Sequence, residues 1–360
     1  MWTRVLATGA LVVVLTGLMG CSASLTPLPT PTTPSLASEL ILYDWEDDLP
    51  QSVLDLFTTE YGVQVVYKTY ESQEEAMANM RAGAVYDVVV FDNDFVPQLV
   101  ADGLLAEIDY RHVPNFDNIS PNFRDLAYDP QNKHTVPFNW GVTALLVRSD
   151  LVEEPVTRWE DLWEREFAGK IAVRDEPREP FGMALKSLGY SINSEDPDAV
   201  QAAFDHLLEI KDKIVLVGPY AEAAVPMLLS GEAAVLVGWA EDVLLSREES
   251  LAIEWVLPEE GIMLWGDNFV IPAYSPRKYT AELFLNFLMR PEVNAQIVNE
   301  NYYASPNEAA RAFIDPEILH DPVIFPPDES LGNAEVFLPL SPDGEQLYQQ
   351  LWERFKRMME

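Results

Sequence analysis

The sequence predicts an α/β protein built as two lobes. Short runs rich in Val and Ile alternate along the chain with segments whose apolar residues recur at three and four, the pattern of strands interleaved with helices. The body that carries this pattern runs from Glu39 to Glu360, longer than one hydrophobic core usually serves. Its last third is mostly helical, ending in "GEQLYQQLWERFKRMM".

The first twenty residues, "MWTRVLATGALVVVLTGLMG", stand outside the fold. One basic residue, Arg4, precedes an apolar run too short to span a bilayer comfortably, and small residues follow, as in a secretory signal. The run ends Leu18-Met19-Gly20-Cys21 and resembles a bacterial lipobox, which implies a diacylated Cys21 as the new N-terminus. Cys21 is the only cysteine, so no disulfide can form within one copy. The segment 21–38, "CSASLTPLPTPTTPSLAS", is proline-rich and uncharged, and it reads as a tether reaching roughly 50 Å in extended geometry.

Candidate strands follow in order: "LILYD", "VQVVYKT", "DVVVF", "TALLVRS", "KIAVR", "KIVLV", "AAVLVG", "IEWVL" and "NFVIP". Helix-period segments such as "QSVLDLFTTEY", "QEEAMANMRAG", "FGMALKSLGY" and "DAVQAAFDHLLEIK" lie between them. Alternation of this kind predicts largely parallel sheets. Asp and Glu total 59 against 23 Lys and Arg, a net charge of −36. Such a surface disfavours nucleic acid and anionic lipid and favours cations.

In open α/β sheets ligands bind beyond the carboxyl ends of strands. "LILYD" is followed there by Trp45, Glu46, Asp47 and Asp48, and "DVVVF" by Asp92, Asn93 and Asp94. "KIAVR" gives Asp175, Glu176 and Glu179; "AAVLVG" gives Trp239, Glu241 and Asp242; "GIMLW" ends in Trp265 before Asp267. Carboxylates hold ammonium groups, and indoles pack on the methylenes between them and attract the charge to the ring face. A polyamine needs both surfaces in alternation, whereas a metal ion would use the acids and leave the indoles without a role.

The stretches "LYDWEDDLP", "VPFNWGVTALLV", "WEDLWEREFAGKIAVRDEPREPFGMALKSLGYSINSEDP", "EEGIMLWGDNFVIPA" and "FLMRPEVNAQIV…YYASPNEAAR" resemble the spermidine/putrescine-binding proteins of bacterial ABC importers. The resemblance runs from about Leu40 to Arg311. It implies a two-lobed periplasmic-binding-protein fold with strand-exchanging lobes joined by a hinge, lobe 1 being 39–138 and 267–310 and lobe 2 being 139–266 and 311–360. It also implies a monomer, no cofactor, no catalysis, a membrane permease as partner, and a location in the periplasm or on the outer face of the membrane. The ligand contacts it implies are Trp45, Glu46, Asp47 and Asp48, then Glu176, Glu179, Trp239, Trp265, Asp267 and Tyr303. Asp92 and Asp94 stand where the family's spermidine binder has serine and tyrosine, Glu46 replaces a threonine and Asp48 a tyrosine. Phe337 stands near the place of a ligand-contacting glutamine. These departures add charge, which favours a longer and more highly charged polyamine if the acids face the cleft.

Duller roles compete at each position. Asp47 or Asp48 could cap the helix beginning "QSVLDLF", Glu176 and Glu179 could be a solvated pair on one helical face, and Trp140, Trp159, Trp163 and Trp255 read as packing residues. Paired acids could serve a glycoside hydrolase, but no hydrolase, P-loop or dinucleotide motif is present. Tyr302-Tyr303 is similar to the ligands of ferric-binding transport proteins, a rival reading. His112, His134, His206 and His320 all lie away from the strand ends.

Overall fold

The computed structural model describes residues 34–46, 48–218, 221–247 and 252–359. The signal, Cys21, most of the tether and Asp47 lie outside the described residues. Among those described, the strands are β1 (Glu39–Asp44), β2 (Gln64–Thr69), β3 (Val88–Asp92), β4 (Thr135–Arg148), β5 (Lys170–Arg174), β6 (Ile214–Val217), β7 (Ala233–Gly238), β8 (Ile253–Val256), β9 (Met263–Val270) and β10 (Glu335–Val336). Their order is β2-β1-β3-β9-β4-β7-β5-β6, with β10 beside β9 and β8 beside β4.

Two parallel wings, β2-β1-β3 and β7-β5-β6, flank the path. Every antiparallel pairing involves β4 or β9, so the largely parallel sheet predicted from the alternation describes the wings alone. The chain leaves the first wing along β4 and returns along β9, and an outgoing and a returning strand side by side must run antiparallel. The segments "GIMLW" and "NFVIP" accordingly belong to one strand, β9.

β4 is fourteen residues long and buried throughout. Thr135–Thr143 pairs with β9, while Ala144–Val147 pairs with β7 and Leu145–Arg148 with β8. On β9, Asp267–Val270 lies against β3 and Met263–Leu264 against β10. β9 therefore joins the first wing through β3, β4 joins the second through β7, and the two pair with each other between them. Asn139 stands opposite Asp267 at the changeover.

Strand periodicity divides the cores. In the first wing Leu40, Leu42, Val88 and Val90 face one core, and Tyr43, Val89 and Phe91 face the opposite one. In the second, Ile171, Val173, Val235 and Val237 face one way and Ala172 and Leu236 the other. Burial on both faces is why these strands read as continuous apolar runs. The helix Pro342–Met359 lays Tyr348, Leu351, Trp352 and Phe355 on the second wing, against Phe181 and Phe204. Ile314, Ile324 and Phe325 pack instead with Trp140, Val142 and Ala144 of β4 and with Ala295 and Val298 of the helix Pro291–Asn301.

Trp352 is 1% exposed and donates its Nε1–H to Asp175 Oδ1 at 3.0 Å. Trp352→Ala should cost about 3–5 kcal/mol through the cavity it leaves, read as a lowered denaturation midpoint with ligand affinity unchanged.

Candidate ligand-binding site

Directly opposed residues on antiparallel strands project to the same side. One face of the β4–β9 ribbon therefore carries Asn139 with Asp267, then Gly141 with Trp265, then Thr143 with Met263. Asp92 extends the first row, opposite Asp267 on the β3 flank. Thr143 Oγ1 donates to Glu179 Oε1 at 2.6 Å and brings that acid to the third row. Four residues separate Asn139 from Thr143, about 13 Å of extended strand. Acid, indole and acid succeed one another along one ruler.

Glycine makes the middle row possible. A Cβ on Gly141 would lie 2.1 Å from Trp265 Cζ2, so the indole rests directly on the glycine. The Tyr303 ring meets Trp265 edge-on at 5.7 Å, and its hydroxyl donates to Glu241 Oε2 at 3.3 Å. Tyr303 is placed by Tyr302, whose φ of 63° ends the helix Pro291–Asn301 in a left-handed turn.

Each strand end brings its residues by a local device. Gln73 clamps Asp92: its Nε2 donates to Asp92 Oδ1, and the Asp92 N–H donates to Gln73 Oε1 at 2.9 Å. At the start of the helix Arg178–Ser187, Glu176 accepts the N–H groups of Arg178 and Glu179 at 2.8 and 2.5 Å. Glu176 thus precedes the helix and caps it, rather than sharing a helical face with Glu179 as the spacing of three predicted. The cap satisfies free amides and aims Glu179 from the first turn. The Trp239 N–H donates to Asp242 Oδ2 at 2.7 Å, and its Nε1–H donates to Glu179 Oε1 at 2.5 Å. Arg174, bound through Nη2 to both Asp242 oxygens at 3.0 and 2.8 Å, lies 3.6 Å from the centre of the Trp239 ring. One indole face is therefore covered by the protein's own cation, and Trp239 presents the other 6.1 Å from Trp265.

The first acidic stretch divides. Trp45 sets its ring 4.6 Å from Tyr70, edge-on, and its carbonyl accepts from Tyr67 Oη at 2.5 Å. Glu46 is exposed and Asp47 lies outside the described residues. Asp48 is buried, its carbonyl accepts from Asn301 Nδ2 at 2.9 Å, and its charge acts on Asp267 and Tyr303. It does not cap the following helix, which starts after Pro50 with no side-chain cap. Asp94 faces the charge of Arg178 and repels Glu345. Phe337 lies under the Arg178 guanidinium, 5.1 Å away. Asp175 turns from the site to Trp352 and Lys356.

Two further acids join the candidate site, Asp44, which the sequence reading passes over, and Glu241, which it names at a strand end without placing it among the ligand contacts. Asp44, fully buried, ends β1 and accepts the Trp45 N–H at 2.8 Å; its signal is a carboxylate closing an apolar strand. Glu241, a strand-end acid, takes the Tyr303 hydroxyl.

Burial drives the electrostatics. Desolvation is the largest influence on every shifted acid here, with mutual repulsion added. It pushes Asp44 and Glu176 up to about 8, Asp267 up to about 7 and Asp94 up to about 6. Asp92 rises well above the carboxylate range, with Asp267 as the leading charge against it, and Glu179 rises too, opposed by Arg174. Asp267 Oδ1 and Glu179 Oε2 are buried with no hydrogen-bond partner among the described residues. The arrangement suits an extended donor carrying several positive charges. The histidines are engaged elsewhere: His112 on Glu282, His134 on the Ala106 carbonyl, His206 stacked on Trp163 and His320 on the Pro316 carbonyl.

Gly141→Ala should displace the Trp265 indole and weaken ligand binding at least tenfold while the fold persists, measured by calorimetry beside circular dichroism. The raised carboxyls also set a sign for stability. Their folded values exceed those of the unfolded chain, so they favour folding most below about pH 4 and lose that contribution as pH rises through 6 to 8. The thermal midpoint of the ligand-free protein should rise when pH is taken from 8.5 to 5.5, with the trend reduced in Asp44→Asn.

Residues 53–326 match the family model for bacterial extracellular solute-binding proteins. The spermidine/putrescine-binding periplasmic protein of Escherichia coli is 34% identical over 305 residues, covering 82% of this chain and 85% of that protein. The solved spermidine/putrescine ABC transporter substrate-binding protein PotD of Streptococcus pneumoniae, in complex with calcium and HEPES, is 28% identical with a TM-score of 0.81, covering 90% of this chain and 100% of that one. The TpPotD lipoprotein of Treponema pallidum is 25% identical with a TM-score of 0.78, covering 88% and 99%. With strands exchanged between two wings and ordered matches along most of its length, the chain belongs to the bacterial extracellular solute-binding proteins, in the family of the spermidine/putrescine-binding periplasmic proteins.

Proposed function

We propose that this chain is the extracytoplasmic substrate-binding component of an ABC importer and takes a polyamine, spermidine or putrescine, into an acidic, tryptophan-lined cleft between its two lobes. One observation carries the reading: buried carboxylate oxygens without donors, on Asp267 and Glu179, bracket an indole along a single strand pair. About 13 Å of extended strand separates Asn139 from Thr143, the β4 residues beside these two acids, and such a spacing suits amines joined by methylene chains. The relatives named for spermidine and putrescine support the same ligand class. Trp45, Glu46, Asp47, Asp48, Asp92, Asp94, Glu176, Glu179, Trp239, Trp265, Asp267 and Tyr303 remain the proposed ligand-binding set, and Asp44 and Glu241 join it.

Cys21 anchors the chain through lipid in this reading, as the word lipoprotein in the Treponema relative's name supports. The tether then holds a monomeric body beside the permease, in the periplasm or on the outer face of the membrane. A metal carrier is the rival. Among the described residues, no group of three or more His, Cys, Asp or Glu side chains is placed to hold a metal ion.

Calorimetry with spermidine, putrescine, calcium and ferric ions decides between them. Asp267→Asn removes a charge-assisted bond and should cost about 2–5 kcal/mol of polyamine affinity. The control is Asp315→Asn: Asp315 is an exposed helix cap whose carboxylate accepts the Glu317 N–H at 3.0 Å, a bond asparagine also makes. Heat from the metals alone, or equal loss in both variants, would sink the assignment.

A further inference from the structure

We infer that Asp92 and Asp267 form a proton-sharing carboxyl pair, and that a cation docking on Asp267 expels the shared proton. The inference rests on the polyamine reading of the same site and adds a pH-dependent coupling to it. β3 and β9 place the two acids directly opposite, so their side chains leave the sheet on one face. Asp92 is held there by Gln73 through both its carboxylate and its N–H. Asp267 is 6% exposed, and its Oδ1 has no partner among the described residues.

The groups around the pair give no relief. Asp44 from β1 and Asp48 from the following loop act on Asp267. Glu74, from the helix Gln73–Arg81, acts on Asp92, and Asp94 feels the charge of Asp92. The phenols of Tyr70 and Tyr303 are neutral neighbours, held so first by burial and then by nearby acids, Glu241 leading at Tyr303. Asn139, across from Asp267 on β4, opposes the rise of its pKa. Arg178 directs its Nη1 and Nη2 donors to the Leu338 carbonyl and Asn193, and its charge acts on Asp94. Two like charges side by side in such surroundings do not both ionise, and one proton serves the pair.

The pair then carries one proton and one negative charge. When an ammonium group takes Asp267 Oδ1, the O–H bond within the pair breaks and the proton passes through water to the buffer. The pair is left with two negative charges facing the ligand. Affinity should therefore climb by up to tenfold per pH unit over the range in which the unliganded pair is singly protonated.

The test compares wild type with Asp92→Asn. Spermidine is titrated by calorimetry from pH 5.5 to 8 in phosphate and in Tris, whose different protonation heats count released protons. Wild type should release close to one proton more than the variant, and the two affinities should converge at pH 5.5 and part as pH rises. Equal proton release, or a loss in the variant that is the same at every pH, overturns the pair. Carbon-13 NMR of aspartate carboxyls in the ligand-free proteins tests the pair a second way. A carboxyl titrating far above its usual range should be present in wild type and lost in the variant, and its absence from wild type overturns the pair. Absence of spermidine heat from wild type alongside that late titration would instead sink the polyamine reading alone.

Discussion

The pairing of β4 with β9 is the constraint on which the other features depend. It is the covalent route between the wings, and its register alone decides which side chains stand together. A slip of one residue would carry Asp267 and Trp265 together to the other face and separate both from Asn139 and Gly141. On its other side β9 is pinned against the end of β3. Asn93 donates its N–H to the Gly266 carbonyl at 3.1 Å and accepts from Asn268 Nδ2 at 2.8 Å, and Tyr128 closes the network on Asn268 Oδ1 at 3.0 Å. The residues flanking Asp92 and Asp267 are thereby fixed while the two acids keep their side chains for the site.

Within this frame the acids form a standing strain. Burying carboxylates without partners is unfavourable, and the chain has used its nearby cations elsewhere. Arg174 is neutralised by Asp242 and lies flat on Trp239, and Arg178 is bound to the Leu338 carbonyl. These arginines order the walls and leave the floor negative. Protons are the small compensation available inside the molecule, which is why Asp44, Asp94, Glu176 and Asp267 all shift upward together. In the proposed function a polycation would replace that compensation with charge-assisted bonds and restore the acids it meets to their ionised form.

Much of this is legible in the sequence because strand ends are legible. Apolar runs with acids at or just beyond their ends mark β1, β3, β5 and β7, and the rule that ligands gather beyond strand ends leads to Trp45, Asp92, Glu179 and Trp239 without any coordinates. The missing parts depend on tertiary contacts. No periodicity shows that β4 continues from one wing into the other, so the antiparallel centre reads as parallel. Glu176 sits three residues before Glu179, but Pro177 begins the helix between them and turns Glu176 into a cap. Asp44 is hidden by being the last residue of a strand, where it reads as an edge. The Trp239 indole looks free to stack because Arg174, sixty-five residues away in sequence, gives no sign of covering it.

The proposed site draws on both wings. Asp44, Asp48 and Asp92 come from the first, Glu179, Trp239 and Glu241 from the second, and the ribbon supplies Trp265 and Asp267 between them. Any rotation of one wing about β4 and β9 alters the distance between the Asp267 and Glu179 ends. Repulsion between acids on the two wings favours the wider arrangement, and a cation bonded at both ends favours the narrower one. The Tyr303–Glu241 hydrogen bond joins the two sides of the proposed site through a phenol that carries no formal charge. Under the proposed function, selection of a closed form by charge would follow from Coulomb's law acting across the β4–β9 ribbon.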